Sequence, residues 1–130
     1  MLNARYHGRY KNGDHMKKLI LVSTLTLVSF SSHGGSLYSV TVKDLNVNRN
    51  TSQVFVRTSV SPSEQTRVSC HEDNNWNFTF IMSTEVDKAT FSTLLTAFSA
   101  NKIVNIVGTN DCTATGYTKV EEVKWVTIRN

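Results

Sequence analysis

The residue types able to do chemistry gather in two short polar segments. His71-Glu72-Asp73-Asn74-Asn75 runs into Trp76, and Thr113-Ala114-Thr115-Gly116 runs into Tyr117. Nucleophilic catalysis needs a nucleophile, a base and a group that orients the base, all within hydrogen-bond reach. After Gly35 the only histidine is His71, and Asp73 is the carboxylate placed to serve it. The competing reading is a surface histidine at a strand end. Paired carboxylates occur at Glu72-Asp73 and Glu121-Glu122, but neighbours on a strand point to opposite faces, so neither is a ready acid/base pair. Glu121-Glu122, in VEEVKWVTI, is expected to solvate an exposed strand. No phosphate-cradling glycine loop, HExxH or GxSxG motif is present. Cys70 and His71 supply too few ligands for a Cys/His metal centre. The expectation is a chain that is not an enzyme and carries no cofactor or metal.

What those segments do suit is a sugar. An aromatic face stacks on a pyranose ring, and short hydroxyl and amide groups bond its hydroxyls. His71, Asn74, Asn75, Trp76 and Tyr117 are the candidate ligand-binding residues on this reading. A chain rich in Ser, Thr and Asn is also ordinary for a secreted β-domain, and that plainer reading stands beside it.

Where such a domain would work follows from the stretch before it. Met16-Lys17-Lys18 is a short positive region, Leu19 to Phe30 a mostly apolar one, and Ser31 to Gly35 a run of small residues broken by His33. That is the layout of a secretory signal peptide, with a cut expected after Gly34. A permanent membrane span needs about 20 apolar residues, more than this run supplies. The alternatives are an N-terminal anchor or a buried first helix. The expected division is residues 1–15 as a misassigned gene start, 16–34 as the signal peptide and 35–130 as one domain, secreted or periplasmic. The charge divides with it. Arg5, Arg9, Lys11, Lys17 and Lys18 against Asp14 account for the whole net charge of +4, so the remainder is formally neutral. Phosphate binding needs clustered Lys and Arg, and nucleic acid is therefore not an expected partner.

Cys70 and Cys112 both lie in the mature part, and an even count in an exported chain reads as a disulfide. It would close a loop of about 40 residues, worth roughly 4 kcal/mol on the chain-entropy model. The same bridge would hold the two polar segments near each other.

Hydrophobic periodicity supplies the elements that must position them. Strict alternation predicts strands over Tyr38–Val42, with Tyr38, Val40 and Val42 sharing a face, over Gln53–Val60, and over Trp76–Met82, where Trp76, Phe78, Phe80 and Met82 share one. Thr66–His71 is a shorter predicted strand, and Asn46–Ser52 and Ser61–Glu64 are turns. The period then changes. Thr84 with Asp87 resembles a capping box, and Phe91, Leu94, Leu95 and Phe98 form one helical stripe reaching about Ala100. Ile103–Val107 and Val120–Ile128 are the last predicted strands. The aromatic residues, Trp76 and Trp125 among them, are expected to fill one core. The fold class is mainly β with one α-helix, a small OB-like barrel of about six strands. A helix packed on an open antiparallel sheet is the alternative.

The order RVSCHEDNNWNF, then ATFSTLLTAFSANKIVNIVG, then Cys112 resembles the OB-fold receptor-binding B subunits of AB5 toxins, similar to those of subtilase cytotoxin and typhoid toxin. The matching pieces are Val68-Ser69-Cys70, the helix Phe91–Phe98, the strand Ile103–Val107 and Cys112. The resemblance implies a glycan-binding, ring-forming module whose helices line a central pore. No binding residue carries over from it. Another family of small exported bacterial proteins that shares the barrel remains equally open. The functional expectation is an exported binding module recognising a glycan or a protein receptor, with a homo-oligomer as one form. The alternative is a periplasmic inhibitor or structural partner that binds through a strand edge.

Overall fold

The computed structural model describes residues 34–113 and 115–129. The expected N-terminal extension and the signal peptide as far as residue 33 lie outside the described residues. Five strands and one helix follow in the order β1 (Ser36–Asn48), β2 (Gln53–Thr58), β3 (Phe78–Ile81), α1 (Glu85–Ser99), β4 (Ile103–Gly108) and β5 (Val123–Arg129). The described residues are mainly β with a single helix, as the periodicity indicates.

All five strands form one sheet, ordered β3-β2-β1-β4-β5, with every neighbouring pair antiparallel. β1 is long because it serves two partners. Its first half pairs with β4 and its second half with β2. The outer strands approach each other where the Thr79 N–H donates to the Glu121 carbonyl at 2.9 Å, next to an isolated parallel bridge between Thr79 and Glu122. The sheet is not otherwise closed, so the barrel is a loose one.

Two irregularities shape β1. The pairing with β4 shifts register between Leu37 and Val40, and Ser39 takes a φ of 56°. The extra residue turns Leu37 inward with Val40 and Val42 and puts Tyr38 outside, 61% exposed. The expected alternation of Tyr38 with Val40 is thereby corrected. A non-glycine residue in the left-handed region is strained, and the Asn105 side chain offsets this by accepting from the Ser39 N–H at 2.9 Å.

The predicted strand Thr66–His71 is absent. Val68 is its only buried apolar residue, and the stretch crosses irregularly from β2 towards β3. The chain just before it is fixed to the end of β2 by one buried side chain. Fully buried Asn77 accepts from the Thr58 N–H at 2.8 Å and donates to Gln65 Oε1 at 2.9 Å and to the Val60 carbonyl at 3.1 Å.

The helix begins as its sequence indicates. Thr84 is the N-cap, and its hydroxyl and the Asp87 carboxylate complete a capping box. Burial alone would push the Asp87 carboxyl up, but hydrogen bonds from Thr84 and Ser83 outweigh it and leave its pKa below the ordinary value. The buried face is centred on Leu94 and Ala97, with Phe91 packed beside it. Leu95 and Phe98 are 44% and 43% exposed, so the expected stripe is rotated. The small side chain of Ala97 suits the inward position of a helix lying close on the sheet. Beneath it, Val40, Val42, Val54, Val56, Phe78, Phe80, Val104 and Ile106 make the core. Among the described residues no helix is long and apolar enough to cross a membrane.

Candidate functional site

The disulfide between Cys70 and Cys112, with Cα atoms 6.0 Å apart, ties together the two polar segments. The backbone completes the join, because the N–H groups of Glu72 and Asp73 both donate to the Lys119 carbonyl at 3.0 Å. Asp73 is the hub. One carboxylate oxygen accepts from the N–H of Asn75 at 2.6 Å and of Trp76 at 3.0 Å, and the other from the Tyr117 hydroxyl at 3.0 Å. Burial would raise its pKa, but these three donors prevail and hold the carboxyl below the ordinary value. The same bond raises the Tyr117 phenol, with burial adding to it.

The ring of Phe55, on the outer face of β2, sits between the two aromatics. Its centroid is 5.6 Å from that of Trp76 and 5.3 Å from that of Tyr117, the latter edge-on. Trp76 therefore lies outside the sheet, which corrects its expected place beside Phe78 and Phe80. It precedes β3 and is not bound by the alternation of that strand. Asn74 accepts from the Arg67 guanidinium at 2.8 Å. The structure thus brings Asn74, Asn75, Trp76 and Tyr117 to one surface, with Asp73 at its centre.

His71 lies behind that surface. Only 4% exposed, it is not the surface histidine of the plainer reading. Its Nε2 is 3.1 Å from the Trp76 carbonyl oxygen, so that nitrogen carries the proton and donates. Burial, reinforced by the positive charge of Arg67, lowers its pKa and keeps it neutral.

A second surface was not foreseen. On the outer face of the sheet, Val107 of β4 pairs with Ser36 on one side and Trp125 on the other. A cleft of about 310 Å³ opens there, lined by Tyr38 and Trp125 and by Ser36, Thr109, Asn110 and Lys124. Trp125 is 41% exposed and does not belong to the core, which corrects its expected role. The signal was present in β5, where Val126 and Ile128 pack against the core and so turn Trp125 and Thr127 outward. Tyr38 gave no such signal, because only the bulge at Ser39 turns it out.

Glu121 also departs from expectation. It lies just before β5, fully buried with its carboxylate against Gly108 at the end of β4, while Glu122 is half-buried. The apolar pattern of VEEVKWVTI carries no sign of this, because Glu121 enters through hydrogen bonds with backbone N–H groups distant in sequence. Comparison with protein-family models, with curated proteins and with solved structures finds nothing that matches the chain.

Proposed function

We propose that the protein is an exported, non-enzymatic binding module that recognises a glycan in the cleft between Tyr38 and Trp125. The observation that carries this reading is the pairing of two exposed aromatic rings with the polar groups of Ser36, Thr109, Asn110 and Lys124 around one open volume. A sugar offers an apolar ring face and a rim of hydroxyls, and this lining complements both. Lys124 favours a saccharide that carries a carboxylate or sulfate. The Asp73 surface is the other candidate, but its two aromatic rings pack on Phe55 instead of flanking an open volume. Screening the exported protein on immobilised glycans tests the proposal. Specific hits that weaken in Tyr38→Ala are expected, and an absence of hits contradicts it.

The likeness to toxin B subunits adds a ring to the proposal. Leu95 and Phe98, exposed on α1, are apolar surface that such a ring would cover. The solution mass by light scattering checks it, with a mass near that of five subunits expected and a monomer contrary.

A second reading is favoured by β5. It forms one border of the sheet, and its outer side meets β3 only around Glu122. An unpaired strand edge accepts a strand from a partner. Co-purification of a stoichiometric protein would support this inhibitor or partner reading.

A further inference from the structure

Glu121 is fully buried, and none of the three ion pairs among the described residues includes it. Its carboxylate oxygens accept from the Gly35 N–H at 2.9 and 3.0 Å, and one of them also from the Asn110 N–H at 2.9 Å. Burial pushes its pKa up against these bonds. Neutral amides do not cancel a full charge held away from water. The pocket is also shaped to the backbone on either side of one peptide bond. A Cβ on Gly34 would meet the Gly108 carbonyl oxygen, one on Gly35 would meet Glu121 Oε2, and one on Gly108 would meet Glu121 Oε1. The unpartnered Nε2 of buried Gln65 lies 3.0 Å from where the Gly35 Cβ would be, so it closes the same space.

The nitrogen at the centre of this pocket is the one that a cut after Gly34 would convert to a chain terminus. We propose that leader removal between Gly34 and Gly35 places the new α-ammonium of Gly35 on the buried carboxylate of Glu121, so that processing completes the folded domain. The inference rests on the export reading above. A leader peptidase adds one water across the Gly34–Gly35 peptide bond. The water oxygen stays on the Gly34 carbonyl carbon as a carboxylate, and the Gly35 nitrogen gains protons to become an ammonium. Gly35 is buried in the folded domain, so the cut precedes folding. A hydrogen-bond donor with one proton becomes a cation with three, already within bonding distance of both carboxylate oxygens. The cut also removes Gly34 from the lining of the Tyr38–Trp125 cleft.

The test is to express the full chain for export and to read the N-terminus of the product by intact mass and terminal sequencing. Its α-amine is then labelled with an amine-reactive ester across a pH series, native and denatured. The expected product begins at Gly35. Its native labelling is slower than the denatured by more than about tenfold, with a midpoint above the ordinary α-amine range of about 7.7–8.0. In Glu121→Gln the protection falls and the midpoint drops. Should that variant fail to fold, the wild-type midpoint still decides, because a buried amine without a carboxylate partner titrates below the ordinary range. A product cut elsewhere, or a lowered midpoint, overturns this pairing and leaves the export reading intact. A chain that keeps its leader overturns both.

Discussion

The imidazole of His71 is buried against the Trp76 carbonyl, and its pKa is lowered by burial first and by Arg67 second. The unfolded chain takes up a proton at this histidine near the ordinary value of about 6.5, while the folded chain resists it. Its contribution to stability is therefore fully present above that value and is lost as pH falls below it. Thermal melts of the wild type and of His71→Asn between pH 7.5 and 5 check this. The wild-type melting temperature is expected to drop with acidification more than that of the variant, and parallel profiles would contradict it. Asp73 works at lower pH. Its carboxyl is held below the ordinary value, so its share of stability is lost only as pH falls through the acid range beneath about 4. His71 stood out in the sequence as a lone histidine between Cys70 and Glu72, but its burial did not. That depends on the disulfide and on the irregular chain before β3, both long-range features.

Among the elements, β1 shows how a short irregularity sets a site. Asn105 holds the Ser39 N–H and so the bulge that turns Tyr38 outward. Asn105→Ala is expected to cost about 1 kcal/mol, the ordinary worth of one such hydrogen bond. It should also weaken glycan binding, although Asn105 does not line the cleft. Calorimetric melting and a glycan titration read the two effects, and binding unchanged in a destabilised variant would detach the bulge from the site. At the helix the argument is local. Thr84→Ala removes the N-cap and is expected to cost about 1 kcal/mol by denaturant unfolding. This contrast explains what could be read in advance. The capping box, the helix and the β2, β3 and β4 strands rest on neighbouring residues and short periods, and they were legible. The bulge at Ser39, the missing strand at Thr66–His71 and the rotation that buries Ala97 depend on contacts across the fold. Val68 alone could not sustain a strand, and Ala97 is too small to mark a helical face.

In the whole molecule, the two sides of an open sheet are tied at two places, the Thr79–Glu121 contact and the Cys70–Cys112 bridge. A domain this small buries limited apolar surface and leans on such links. Replacing both cysteines by serine is expected to destabilise it by about 2–4 kcal/mol and to separate Tyr117 from Asp73. Denaturant unfolding of the variant and of the oxidised wild type gives the difference, and equal midpoints would contradict it. The disulfide and the joining of the two polar segments were readable from cysteine count and placement. The cleft on the opposite strands was not, because it assembles Ser36, Thr109 and Trp125 from three distant parts of the chain. The most direct test of the account is calorimetric titration of an oligosaccharide hit from the glycan screen into wild type and Trp125→Ala. The account predicts saturable binding by the wild type, and loss of more than about tenfold in affinity with an unchanged melting temperature in the variant. Equal affinity in the two proteins would contradict it and move the site away from this cleft.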